Sequence, residues 1–324
     1  MEKDSLQTVP NILIRLAHLL GTEIKNGRLE IPERFGTGFC AGFVFNEHIR
    51  MMILRYELME DIVVENPHTT GMRGRMILFK FQNILHCANA TFAGRQIKDI
   101  PSVLIATSNM DAEAIIPIDS HPISINIEID ADYLNSQFQS KDKSPVLQSL
   151  LLNTQPLLFE QMIYPSLQKI IDEIVAQSTD KTFELFYLRI KAEELVCQLL
   201  MELEKRDEKQ LYAINSRDIQ AIYKVKEQML KHLETPPLIS ELAVCAGMSS
   251  SKLKRLFKQI FGNSIFSYYQ NFRMKEAARL LKEEKLSVSE VGYQMGFTNL
   301  SHFSKVFNEY LGMKPKQFSR LQRS

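Results

Sequence analysis

Glu241-Leu242-Ala243-Val244-Cys245-Ala246-Gly247-Met248-Ser249-Ser250-Ser251-Lys252-Leu253-Lys254-Arg255-Leu256-Phe257 decides the fold of the C-terminal part of this chain, because its pattern returns about fifty residues later. Ile239-Ser240-Glu241-Leu242 matches Val288-Ser289-Glu290-Val291, and Ala246-Gly247-Met248-Ser249 matches Met295-Gly296-Phe297-Thr298, both at an offset of 49. Beyond the turn the offset is 50: Leu253, Arg255, Leu256, Phe257, Ile260, Phe261 and Gly262 recur as Phe303, Lys305, Val306, Phe307, Tyr310, Leu311 and Gly312. One extra turn residue accounts for the change.

Each copy predicts a helix, a tight turn and a second helix. Glycine can take the left-handed conformation that such a turn needs without steric penalty. Ser249 or Ser250, and Thr298 or Asn299, then supply an N-cap. The second helix presents Leu253, Leu256, Phe257 and Ile260, or Phe303, Val306, Phe307 and Tyr310, at i, i+3, i+4 and i+7, so these are predicted to be buried. Its outer face carries Ser251, Lys252, Lys254, Arg255 and Lys258 in the first copy, and Ser301, His302, Ser304 and Lys305 in the second.

Those residue types suit reading of double-stranded DNA. Arg and Lys donate to guanine O6 and N7 in the major groove, while Ser and His make smaller contacts. A recognition helix reaches base edges with its N-terminal turns. A single basic helix face is ordinarily just solvated; two copies of one buried pattern, both with basic outer faces, shift the balance to DNA. Between them, Ser264 to Glu284 reads as a connecting helix. If both readers enter one face of the duplex, their centres lie on the order of 34 Å apart.

Charge supports a division of the chain. The whole has 324 residues with 39 Lys plus Arg and 38 Asp plus Glu, a net charge of +1. Residues 216–324 hold 18 basic and 9 acidic side chains, net +9, leaving 21 against 29, net −8, on residues 1–215. A basic module of this size beside an acidic one is a cue for nucleic-acid binding by the basic part.

The N-terminal part reads differently. Ile12 to Leu20 carries Arg15 and His18 and predicts an amphipathic helix rather than a signal peptide. Asn26-Gly27 between short alternating segments predicts a two-residue hairpin. Further strands are expected around Phe39 to Phe45, Ile49 to Leu58, Arg75 to Phe81, Val103 to Thr107 and Ser124 to Ile129. After about Asp132 the period becomes helical, over Pro165 to Gln177 and Lys181 to Glu208. In the latter, Leu185, Leu188, Ala192, Leu195 and Leu199 have coiled-coil spacing, with Phe186, Ile190, Cys197 and Leu200 as a second stripe. Leu185, Leu188, Leu195 and Leu199 are the expected dimerisation residues; burial within one subunit is the equally weighted alternative. The four cysteines, Cys40, Cys87, Cys197 and Cys245, form no C-x-x-C pair and read as buried thiols in a cytoplasmic protein without metal or disulfide. No apolar run approaches the roughly 20 residues of a membrane span.

The C-terminal residues Glu241-Leu242-Ala243, Gly247-Met248-Ser249, Leu253-Lys254-Arg255-Leu256-Phe257-Lys258, Phe261-Gly262, Tyr268, Arg273-Met274, Ala277, Leu280-Leu281, Val291, Gly296-Phe297, Phe303-Ser304-Lys305-Val306-Phe307, Gly312, Pro315 and Phe318 together resemble the DNA-binding domain of AraC/XylS-type transcriptional regulators. The resemblance covers about the last 100 residues. It implies a seven-helix domain with two helix-turn-helix units, and base-facing residues at Ser251, Lys254 and Arg255 and at Ser301, His302 and Lys305. Lys258 joins them on the basic face. Leu300 and His302 depart from the donor-rich residues expected in the second reader. The resemblance also implies a cytoplasmic activator and homodimer, working with RNA polymerase, and an N-terminal regulatory domain for a small-molecule effector.

The expected class is therefore α+β: a cupin-like β-barrel or sandwich over residues 1–135, a helical dimerisation and linker segment over 136–215, and an all-α DNA-binding domain over 216–324. The sequence leaves the effector and its binding residues unknown. Enzymatic readings fare worse. His48, His86 and His121 are isolated, with no His-x-His, so no metal or other cofactor is expected. Gly71-Met72-Arg73-Gly74-Arg75 lacks the spacing and Lys of a phosphate loop. Phe39, Phe43 and Phe45 are expected to be divided between core and exterior. The rival arrangements are an enzymatic or metal-binding barrel fused to a DNA-tethering tail, and a regulator controlled by a protein partner.

Overall fold

A computed structural model describes residues 9–59, 75–84, 101–108, 123–138, 142–176, 180–282 and 284–321. His86, His121, Cys87 and the turn Gly71 to Gly74 lie outside the described residues. Among these, residues up to 216 form one compact unit and residues 217–321 a second.

The first unit opens with α1 (Asn11–Leu20), which buries Leu13, Ala17 and Leu20 and ends at Gly21. Its strands are β1 (Ile24–Lys25), β2 (Arg28–Glu30), β3 (Gly36–Val44), β4 (Ile49–Leu58), β5 (Met76–Gln82), β6 (Ser102–Ala106) and β7 (Ser124–Asp130). The first hairpin turns through Asn26 at φ 51° and Gly27 at φ 73°, the left-handed pair that a two-residue connection of this twist requires. Helices α2 (Ala131–Ser136) and α3 (Pro145–Leu152) follow, then β8 (Leu158–Met162), α4 (Pro165–Ala176) and α5 (Glu184–Glu204).

All described strands join one antiparallel sheet in the order β1-β2-β3-β4-β7-β5-β6-β8, an arrangement consistent with a sandwich. One sheet face is continuously apolar. Ile53, Ile125, Phe81 and Val103, with Met51, Ile127, Phe79, Ile105 and Phe159, pack there against residues of α2 to α5. Phe39, Phe43 and Phe45 are all partly buried against that same core rather than divided between inside and outside.

Two expectations are corrected here. The stretch after residue 136 is not wholly helical: β8 pairs with β6, Leu104 opposite Glu160. Five residues at a sheet edge offer too short a period to oppose the helical pattern around them. Second, the coiled-coil seam of α5 faces inward. Leu188, Ala192, Leu195 and Leu199 are buried in the unit's own core, whereas Leu185, Phe186, Ile190 and Met201 are exposed. The sheet, which the local period of α5 cannot reveal, takes the seam as its own cover. Cys197 is exposed on that outer side, against the expectation of a buried thiol; Cys40 is buried, which pushes its thiol up to about 12, with Glu30 adding to the shift.

His48 stacks on Tyr133 with centroids 4.7 Å apart. Arg75 pairs with Asp132 at 2.6 Å and donates to the carbonyls of Leu151 and Leu152 at the end of α3. Cations are favoured at a helix C-terminus, so Arg75 is engaged structurally. Among the described residues no group of three metal-ligating side chains converges, and no helix is long and apolar enough to cross a membrane.

Candidate nucleic-acid interface

The second unit is all-helical, with α6 (Ser216–Lys231), α7 (Ile239–Ala246), α8 (Ser250–Phe261), α9 (Ile265–Lys282), α10 (Val288–Gln294), α11 (Leu300–Leu311) and α12 (Pro315–Leu321). Its seven helices place α7–α8 and α10–α11 as the two helix-turn-helix copies, with α9 between them.

The turns are built alike. Gly247 and Gly296 take φ of 60° and 73°, and Gly262 and Gly312, which close α8 and α11, take 69° and 74°. Ser249 caps α8 by accepting from the Lys252 N–H, and Asn299 caps α11 by accepting from the N–H groups of Ser301 and His302. Each cap satisfies donors that the first turn of a helix cannot pair internally.

The inner faces follow the predicted spacing except at one position. Leu253, Leu256, Phe257 and Ile260 are fully buried in α8, as are Phe303 and Phe307 in α11, with Val306 nearly so; Tyr310 remains 37% exposed. Burial of each large apolar side chain contributes about 1.5–3 kcal/mol, so α8 is anchored more firmly by this face than α11. Aromatic contacts extend both cores, Phe257 against Tyr268 at 5.5 Å and Phe307 against Phe318 at 5.7 Å.

The outer faces differ. In α8, Ser251, Lys254 and Arg255 are exposed and Lys258 is half-buried. Lys252 is spoken for by Asp218 of α6, Nζ to Oδ1 at 2.8 Å, so it fixes the start of α8 rather than joining the outward cations. In α11, Ser301, His302 and Lys305 are exposed. The His302 ring meets Phe297 edge-on at 5.5 Å, and Lys305 lies 4.0 Å from Glu309. All seven candidate DNA-contacting residues thus lie on the outward sides of α8 and α11, and each set is brought together on one helix.

Sequence reasoning missed the residue that sets the second turn. Arg273 of α9 is buried, donates to the Met295 carbonyl through Nε at 2.7 Å and also through Nη2, and lies 4.0 Å from the Phe297 ring centre. Burial holds its pKa below the ordinary arginine value. The neighbouring Tyr269 hydroxyl donates to the Leu233 carbonyl at 2.6 Å. The available signal was a guanidinium within the apolar stripe of α9, where a charge needs partners. Gly296 completes the junction: a Cβ there would lie 2.0 Å from the Glu234 carbonyl oxygen.

The C-terminal unit is similar in sequence to known proteins. Residues 242–321 match the model of a helix-turn-helix domain. The HTH-type transcriptional regulator GbdR of Pseudomonas aeruginosa is 35% identical over 108 residues, 33% of this chain and 29% of that protein. The arabinose operon regulatory protein of Salmonella typhimurium is 32% identical over 80 residues, 25% of this chain and 28% of that protein. A crystal structure of a transcriptional regulator from Chromobacterium violaceum, described as containing an AraC-type DNA-binding domain, aligns with 33% of this chain and 96% of its own at 26% identity and a TM-score of 0.31. The chain therefore spans less than a third of these curated relatives' length. The C-terminal module is an AraC-type DNA-binding domain.

Proposed function

We propose that this chain is a sequence-specific regulator of transcription that binds double-stranded DNA through α8 and α11. The carrying observation is the pair of helix-turn-helix units with matching glycines, caps and buried faces, each turning polar and basic side chains outward. Lys254 and Arg255 are the base-reading donors of the first helix, supported by Ser251 and by Lys258 beside the backbone. Ser301, His302 and Lys305 form the second reading set. Selection of bound sequences from random duplex DNA with the full-length protein tests this: an enriched motif is expected, and binding governed only by salt, without enrichment, overturns it.

The remaining assignments complete that function. Residues 216–324 are the DNA-binding domain, and the cupin-like N-terminal unit senses a small-molecule effector, acting without catalysis. The protein works in the cytoplasm as an activator in contact with RNA polymerase. It pairs as a homodimer through the outer face of α5, where exposed Phe186, Ile190, Cys197 and Met201 fall on one side of the helix. Ile190→Glu is expected to convert a dimer to a monomer in sedimentation analysis while leaving the fold intact. Unchanged mass would remove α5 from the interface.

A further inference from the structure

On the opposite sheet face, Leu29, Cys40 and Met52 of β2 to β4 pack against Leu13, Ala17 and Leu20 of α1, whereas across β7, β5, β6 and β8 the buried positions include Ser124, Lys80, Ser102 and Glu160. Register aligns Met52, Asn126, Lys80, Leu104 and Glu160 in one row across β4, β7, β5, β6 and β8. The adjoining row contains Ser124, Gln82 and Ser102, with Gln82 Nε2 donating to Ser102 Oγ at 3.0 Å. Lys80 is 8% exposed and Glu160 2%. A sheet face serving only as packing would be apolar, because burying charge and amide groups is unfavourable without dedicated partners.

Two features give this row the character of a binding surface. The Asn126 Oδ1 is buried without a hydrogen-bond partner, an unfavourable arrangement that a donor from a ligand would relieve. Lys80 and Glu160 are each engaged within the protein, but an ammonium has three donors and a carboxylate several acceptor positions, so both can serve a ligand as well. Adjacent strands lie about 4.8 Å apart. Lys80 and Asn126 are therefore immediate neighbours, while Lys80 and Glu160 are separated by two spacings, roughly 10 Å, with Leu104 between.

We infer that this row binds an α-amino acid with a cationic side chain. Its carboxylate meets Lys80, its α-ammonium donates to Asn126 Oδ1, its aliphatic stem lies over Leu104 and its terminal cation reaches Glu160. The inference deepens the reading of the N-terminal unit as a sensor and depends on it for regulatory meaning.

Isothermal titration of the full-length protein with L-lysine, L-ornithine and L-arginine tests the assignment, with hexanoate, which keeps a carboxylate but no ammonium, and 1,5-diaminopentane, which keeps two ammonium groups but no carboxylate, as controls. At least one amino acid is expected to saturate the protein, and Lys80→Met or Asn126→Leu to weaken it about tenfold or more. The isosteric Glu160→Gln variant is expected to abolish preference for L-lysine over L-norleucine. Failure of all three amino acids overturns the site, as does hexanoate binding equally well or Asn126→Leu leaving affinity intact. DNA affinity measured on the same samples separates the two readings: an enriched DNA motif without amino-acid binding sinks the site alone, and amino-acid binding without such a motif sinks the regulator alone.

Discussion

The two helix-turn-helix copies share glycines, caps and inward spacing but differ in how their turns are held and in what they present outward. Gly247 has open space around it, with nothing within 4 Å of an added Cβ, whereas Gly296 is pressed against the Glu234 backbone. The outer face of α8 carries Lys254, Arg255 and Lys258, while that of α11 has Lys305 as its cation beside Ser301 and His302. One duplicated frame can thus divide labour: the first copy has more charge for the duplex and the more deeply buried reading helix, and the second has the more tightly held turn.

The largest expected contrast is at the glycines. Gly296→Ala should destabilise the C-terminal unit by more than about 3 kcal/mol, since backbone must move. Gly247→Ala should cost about 1 kcal/mol, from its left-handed φ alone. Urea unfolding of both variants reads the difference; equal losses would mean that the Glu234 contact does not constrain the second turn.

Next come the readers. Lys254→Ala and Arg255→Ala should each weaken binding to a selected DNA sequence by about 1–3 kcal/mol and relax specificity at particular base positions. Lys305→Ala should do less than Lys254→Ala, because Lys305 already has Glu309 nearby. Titrations at several salt concentrations rank them, and a larger loss at Lys305 would reverse the proposed division.

The helix starts provide a smaller contrast. Ser287 and Glu290 form a reciprocal capping box on α10, whereas Leu238 occupies the matching position before α7 and makes no side-chain cap. Ser287→Ala should lose about 1 kcal/mol, and Leu238→Ser, with Glu241 already three residues on, should gain about 0.5–1 kcal/mol in thermal unfolding. A null or opposite effect of Leu238→Ser would show that its exposed side chain has another role.

The smallest effect is on pH dependence. The Ser287 side chain, and then its backbone N–H, hold the Glu290 carboxyl below its ordinary range. A depressed folded pKa contributes stability that is present above the unfolded carboxyl value, about 4.3, and is lost as pH falls through the folded value. Ser287→Ala should therefore flatten the acid side of the stability profile measured by denaturant unfolding. An unchanged slope would detach Glu290 from the cap.

How far these features were legible depended on their locality. Asn26-Gly27 announced its hairpin, and Ser249 and Asn299 stood among the anticipated caps, because a turn is set by residues within a few positions. The α5 helix was legible, but its orientation was not: two apolar stripes satisfy one helical period equally, and only the neighbouring sheet decides that Leu188, Leu195 and Leu199 face inward. The place of Arg273 within the apolar stripe of α9 was legible, but its partners Met295 and Phe297 come to it only through folding.

The sequence by itself determined the tandem helix-turn-helix frame, since helical periodicity, N-capping and left-handed glycine turns are short-range properties. Tertiary structure alone decided the polar row of Met52, Asn126, Lys80, Leu104 and Glu160. Asn126 and Lys80 each stand between apolar neighbours as solvent-facing positions would, and the alignment of the five exists only in the register of strands drawn from distant parts of the chain.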